Sequence, residues 1–224
     1  MKVLGSIPQT PFISCYISIH KEEDLNRYLL IDFLRHGEVS GGPRFNGKSD
    51  PPLTPAGWQA MERAAARTGR IDGIVTSPLS RCATLAHEWG RQNLVSVLED
   101  PGWSEYDFGR WEGRTSDEIM AMDPQGLAAF WQDPLLHPPP GGEPMDCFRQ
   151  RIANSLHALW IQPSVAHLLV MTHAGVIRQL AALVLERSFT DMWTLDIPLC
   201  ACLRSVWIQT PGSSPPRLLY LGMT

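Results

Sequence analysis

The sequence predicts an α/β fold: a three-layer sandwich with a mainly parallel sheet and helices on both faces. Two apolar runs, Leu29-Leu30-Ile31-Asp32-Phe33-Leu34 and His167-Leu168-Leu169-Val170-Met171, are nearly continuous. Strands covered on both sides have that composition, whereas a half-exposed strand alternates. Strand-like runs also alternate with segments of helical periodicity over most of the chain, the pattern of parallel strands joined by crossover helices. At 224 residues the chain suits one compact domain with a sizeable core. We read residues 28–224 as that domain and 1–27 as a poorly ordered N-terminal extension.

The first strand is expected over 28–35, followed by a Gly/Pro-rich loop over 40–47. Thr54-Pro55 opens a helix, with Thr as N-cap and Pro at the first helical position. Trp58, Met61, Ala64 and Ala65 give this helix an apolar face, and Gly69 is placed to end it. A second strand is expected over 71–77. Pro78 then starts a helix carrying Leu79, Cys82, Ala83 and Ala86. A third strand follows over 95–98, an irregular stretch over 100–114, and one or two helices over 116–131. A Pro/Gly loop over 136–144 leads to a helix over 146–159. The strand ending at Thr172 feeds a helix over 175–185. Two closing strands, 201–209 and 217–221, are joined by a turn at Pro211-Gly212-Ser213-Ser214 and pair antiparallel at one edge of the sheet.

Composition narrows the function. There are 19 basic and 23 acidic residues, a net charge of −4, with no long basic run. Nucleic acid is therefore not an expected partner. No apolar run approaches membrane-spanning length. The first 21 residues are interrupted by Pro8, Pro11 and Ser14, unlike the unbroken core of an export signal. A cytoplasmic location is expected. The odd count of five cysteines (Cys15, Cys82, Cys147, Cys200, Cys202) predicts buried free thiols rather than a disulfide framework. Cys200-Ala201-Cys202 lacks further ligands at metal-binding spacing, and His87-Glu88-Trp89-Gly90-Arg91 has Arg where a zinc-protease helix needs its second His. No metal and no cofactor are expected.

The chemistry gathers at strand ends. Arg35-His36-Gly37 closes the first strand and Thr172-His173-Ala174-Gly175 closes the later one. Loops at the carboxyl ends of parallel strands are where open α/β sheets bind ligands. Arg81 lies just past the second strand, in Ser77-Pro78-Leu79-Ser80-Arg81. Arg35, His36, Arg81 and His173 together suit an anion, most simply a phosphate, because guanidinium forks bond two phosphate oxygens at once. The helix start near Gly175 can add backbone N–H donors. A neutral imidazole can attack phosphorus and split a very slow hydrolysis into two easier steps. The leaving alkoxide needs a proton, and a carboxyl among aromatic residues could supply it. Between Trp103 and Gly113, spacing alone leaves Glu105, Asp107 and Glu112 as equal candidates.

These pieces resemble the histidine phosphatase superfamily, the phosphoglycerate-mutase-like fold. The likeness rests on Arg35-His36-Gly37-Glu38, on Asp50-Pro51-Pro52-Leu53-Thr54 with Gly57, and on Ser77-Pro78-Leu79-Ser80-Arg81. The segment from Glu105 to Gly113 and Thr172-His173-Ala174-Gly175 complete it, in the family's order. It implies that His36 carries the phosphoryl group, that Arg35, Arg81 and His173 hold it, that Glu105 donates the proton, and that no metal takes part. Within the superfamily the chain is most similar to the α-ribazole phosphatases of cobalamin synthesis, through Glu38-Val39, Gly41-Gly42-Pro43-Arg44-Phe45, Gly47 and Arg81-Cys82. That likeness makes Arg44 and Asn46 candidates for a substrate loop. It lacks the Trp-Asn pair that follows the histidine in phosphoglycerate mutases. Pro144 follows Gly141-Gly142-Glu143 where many relatives have Ser. The implied partner is a small phosphorylated metabolite such as α-ribazole 5′-phosphate, and a homodimer is allowed. Phosphoglycerate-mutase-type transfer and broad sugar or nucleotide phosphatase activity are the alternatives.

Overall fold

The computed structural model describes residues 27–161, 165–210 and 215–223. Six strands form one sheet: β1 (Arg27–Arg35), β2 (Gly73–Thr76), β3 (Val97–Glu99), β4 (His167–Thr172), β5 (Cys202–Gln209) and β6 (Arg217–Met223). Their order is β3-β2-β4-β1-β5-β6. The four strands from β3 to β1 are parallel, and β5 and β6 add antiparallel at one edge. The expected turn at 211–214 and the N-terminal extension lie outside the described residues, as does Cys15.

Alternation along β1 and β4 divides the core into two layers. Leu34, Leu169 and Met171 face α1 (Pro55–Arg67) and α2 (Ser80–Asn93), packing on Met61, Ala65, Leu85 and Ala86. Ile31, Phe33, Leu168 and Val170 face the other side. There they meet α3 (Ser116–Met122), α4 (Pro124–Gln132), α5 (Met145–Trp160), α6 (Ala174–Val184) and α7 (Phe189–Trp193). Thr54 caps α1 as expected, its Oγ1 accepting from the Gly57 N–H at 2.9 Å. Helix α5 starts after Pro144, which offers no side-chain cap.

Several boundaries shift. β2 and β3 are shorter than read, and β3 begins two residues later, because pairing with β2 starts only at Val97. Within 100–114 the chain forms two short 3₁₀ turns, Pro101–Trp103 and Gly109–Trp111. The five-residue α7 carries no helical periodicity in the sequence and was not expected. Cys147 is exposed, contrary to the expectation of buried thiols, because it falls on the solvent side of α5; Cys82 and Cys202 are buried.

The connection after β1 runs over one face through α1, and the connection after β4 runs over the other through α6. The two carboxyl ends therefore part, opening a crevice at the topological switch point between adjacent strands. Their register pairs Arg35 with Thr172, so the next residues, His36 and His173, sit side by side. The His36 N–H donates to the Thr172 carbonyl at 2.9 Å, extending the ladder into the crevice.

One buried ion cluster ties the sheet together lower down. Asp32 on β1 accepts two bonds from Arg204 on β5, at 2.7 and 2.6 Å, and lies 2.9 Å from His167 Nε2 on β4. Burial pushes the Asp32 carboxyl up, but Arg204 and His167 outweigh that and hold it below its ordinary value. Removing one member of such a cluster strands the others. Asp32→Ala should lower unfolding free energy by about 3 kcal/mol in urea titration. A loss below about 1 kcal/mol would mean that the cluster acts like an exposed pair.

Candidate active site

Four elements converge on the crevice. Arg35 and His36 come from the end of β1, Ser77 from the end of β2, Arg81 from the first turn of α2, and His173 from the end of β4. Glu105 reaches in from the stretch after the first 3₁₀ turn. The structure thus brings together Arg35, His36, Arg81, Glu105 and His173 of the residues picked out in the sequence, and it adds Ser77.

The loop after β1 is held by close backbone packing. A Cβ on Gly37 would lie 2.2 Å from the Gly57 carbonyl oxygen, and one on Gly57 would lie 2.1 Å from the Glu38 carbonyl oxygen. Only glycines allow this approach. Thr54 completes it: its N–H donates to the Glu38 carbonyl at 2.9 Å and its hydroxyl to Glu38 Oε2 at 2.8 Å. The start of α1 therefore fixes the turn that carries His36.

His36 is 8% exposed. Its Nδ1 lies 2.8 Å from the Gly37 carbonyl oxygen. A carbonyl can only accept, so Nδ1 carries the proton and Nε2 keeps its lone pair. Burial, then the Arg81 charge, push the pKa of His36 down from 6.5 to about 3. The ring centroid of His173 is 5.2 Å away, edge to face. His173 is fully buried, and its pKa is driven well below 6.5 by burial first, then by Arg81 and His36. Its Nδ1 accepts from Arg81 Nε at 3.3 Å, and its Nε2 then donates to Ser77 Oγ at 2.8 Å. Both imidazoles are neutral and each is held in one tautomer.

Arg81 is not the solvated helix charge that its position on α2 would suggest: its exposure is 0%. All five of its N–H groups are engaged. Besides His173, Nη1 meets the Ser49 carbonyl at 2.7 Å and Asp50 Oδ1 at 3.4 Å, and Nη2 meets the Asn46 and Gly47 carbonyls at 2.8 and 2.9 Å. The loop over 46–50 therefore wraps the guanidinium. Asn46 joins the site through this carbonyl. The Arg44 head points elsewhere, bonding the Gly41 and Gly113 carbonyls and Glu118.

Arg35 differs. Its Nη1 donates to the Ile197 carbonyl, but its Nε is buried with no partner. Burial lowers its pKa, opposed by the charge of Glu105. A guanidinium stays protonated under such a shift, so an unmet buried donor here favours an anionic ligand.

The three carboxylates separate cleanly. Glu112 accepts from the N–H groups of Gly47, Lys48, Ser49 and Phe108, between 2.8 and 3.1 Å, and so pins the loop around Arg81. Asp107 pairs with Lys48 and accepts from the Gly109 N–H. Glu105 accepts from the Tyr106 N–H at 2.9 Å and the Gly175 N–H at 3.1 Å, at the start of α6 beside His173. A Cβ at Gly175 would lie 2.3 Å from Glu105 Oε1, so a side chain there would push the carboxylate from this position. The Gly175 N–H expected for the anion is thus bonded to Glu105.

Residues 31–212 match the histidine phosphatase superfamily (branch 1). The chain is 33% identical over 191 residues to a bifunctional protein of Mycobacterium tuberculosis, covering 83% of this chain and 52% of that one. It spans about half the length of the mycobacterial relatives it matches. It is 29% identical over 170 residues to an adenosylcobalamin/α-ribazole phosphatase of Salmonella typhimurium, covering 71% of this chain and 81% of that one. Among solved structures it resembles YhfR of Bacillus stearothermophilus, with a TM-score of 0.75 and 26% identity over 85% of this chain and 94% of that one.

Burying a neutral histidine links stability to pH. Below pH 6.5 the unfolded chain binds a proton that folded His36 refuses until about pH 3. Stability is thus full above the unfolded pKa and falls as pH drops towards 3, by up to about 1.4 kcal/mol per pH unit per histidine. Urea titrations from pH 7.5 to 5 should show His36→Gln losing stability less steeply than the parent. Parallel slopes would mean that folded His36 takes up its proton over the same pH range as the unfolded chain, and that burial does not hold it neutral.

Proposed function

The chain belongs to the histidine phosphatase superfamily, and from that membership we propose that it is a phosphomonoesterase acting through a phosphohistidine at His36. The observation that carries this reading is the Nδ1 bond to the Gly37 carbonyl. It leaves Nε2 as a neutral nucleophile in a buried crevice lined by arginines.

The steps follow from the chemistry of the residues. Nε2 of His36 attacks phosphorus, and the ester P–O bond breaks as the N–P bond forms. Arg35 meets the phosphoryl oxygens through its unpartnered donor, and Arg81 adds a fixed positive charge at no cost in reorganisation. His173, tied to Arg81 and Ser77, packs edge to face on His36 and helps hold the attacking ring in place. Glu105 gives a proton to the leaving alkoxide. It then takes one from the water that attacks phosphohistidine, and inorganic phosphate leaves with His36 regenerated. Phosphoryl transfer of this kind needs positioning and charge rather than covalent help from further groups.

The substrate in this reading is a small cytoplasmic phosphate monoester of an alcohol, such as α-ribazole 5′-phosphate. The similarity to the Salmonella adenosylcobalamin/α-ribazole phosphatase supports it. Phosphate release with no diphosphorylated activator distinguishes it from mutase chemistry.

The leaving group provides the test. A ribose alkoxide departs only when protonated, whereas p-nitrophenolate leaves unaided. Glu105→Gln should slow α-ribazole 5′-phosphate about 10²- to 10⁴-fold more than p-nitrophenyl phosphate. Asp107→Asn and Glu112→Gln should show no such selectivity. If Glu105→Gln slowed both substrates equally, Glu105 would not be the proton donor.

A further inference from the structure

The motif Gly141-Gly142-Glu143 has no part in the chemistry above, yet its glutamate anchors a side chain that grips the segment carrying Glu105. We propose that Arg151, seated by Glu143, is a positioning residue for Glu105. The proposal rests on the reading of Glu105 as proton donor.

Arg151 lies on α5, two helical turns beyond Glu143. Its Nε and Nη2 donate to Glu143 Oε1 and Oε2 at 2.8 and 2.9 Å, a two-point pairing. The remaining N–H groups all point at one stretch of main chain. Nη1 reaches the carbonyls of Gly102 and Ser104 at 2.8 and 2.6 Å, and Nη2 reaches the carbonyl of Glu105 itself at 2.9 Å. The guanidinium lies 4.7 Å over the ring of Phe148 on the same helix, which limits its movement. Glu143 adds a backbone bond to the same stretch, its N–H donating to the Asp107 carbonyl at 3.0 Å.

Glu105 is therefore fixed at both ends. Arg151 holds its main-chain carbonyl, and the Tyr106 and Gly175 N–H groups hold its carboxylate. The stretch over 104–108 has no strand or helix of its own to set where the carboxylate points. A guanidinium can do so because its five donors form a rigid planar fork; an ammonium offers only a point charge on a flexible stem. A proton donor displaced by about 1 Å loses on the order of 10²-fold in rate.

Arg151→Lys keeps the charge and loses the fork. The readout is the ratio of kcat for α-ribazole 5′-phosphate to kcat for p-nitrophenyl phosphate, measured beside Glu105→Gln and the double variant. Arg151→Lys should lower that ratio about 10- to 100-fold, with KM for p-nitrophenyl phosphate unchanged. In the double variant it should add nothing to the loss of selectivity caused by Glu105→Gln, since both act through one group. Glu143→Gln weakens the same grip without removing a cation and should move the ratio the same way; it decides the matter if Arg151→Lys does not fold. Equal slowing of both substrates, with the ratio intact while Glu105→Gln lowers it, would overturn the role of Arg151. A ratio unmoved by Glu105→Gln itself would instead overturn the reading of Glu105.

Discussion

The parallel pairing of β1 with β4 is the constraint on which the site depends. It aligns Arg35 with Thr172, and one residue further it sets two imidazoles 5.2 Å apart at the mouth of the crevice. A slip of one residue in this register would turn every side chain of β1 to the opposite face. It would exchange Phe33, in one core layer, with Leu34, in the other, and it would break the Asp32 cluster that joins β1, β4 and β5. The two core layers and the ion cluster thus specify the register, and the register specifies the site.

Charge in the crevice is arranged by burial. Two neutral histidines stand among guanidinium groups that cannot lose their protons. Each arginine is held differently. Arg81 is saturated by His173 and by three carbonyls and the Asp50 carboxylate of the loop over 46–50, itself pinned by Glu112, so its charge is fixed before any ligand arrives. Arg35 retains an unmet donor. Preorganised charge of this kind stabilises a transferring phosphoryl group without rearrangement during the reaction. Burial first, and then the same cations, hold the imidazoles neutral, which suits a nitrogen nucleophile.

The parts of this arrangement that were legible in the sequence share a local signature. Strands buried on both faces read as continuous apolar runs, so β1 and β4 stood out, and the histidines at their ends with them. Thr54-Pro55 marked the start of α1 because capping chemistry is written in adjacent residues. What stayed hidden depends on distant backbone. Arg81 was legible as a site residue, but its burial was not, since that comes from the carbonyls of 46–49 closing around it. Glu105, Asp107 and Glu112 are alike by spacing; family resemblance, not spacing, singled out Glu105, and their partners now separate them. Glu112 serves backbone N–H groups more than sixty residues earlier. Arg151 serves carbonyls more than forty residues upstream. Ser77 stood within a recognised motif, but only the fold brings it against His173.

The central claim is a covalent bond between His36 and phosphorus, and the most direct measurement is to trap it. The protein would be mixed with a phosphorus-labelled monoester, quenched within milliseconds in alkali, digested and mapped. The account predicts a phosphoryl group on His36 that is stable in alkali, lost in acid, and absent from His36→Ala. Hydrolysis at full rate with no label on His36, or an equally active His36→Ala protein, would contradict it.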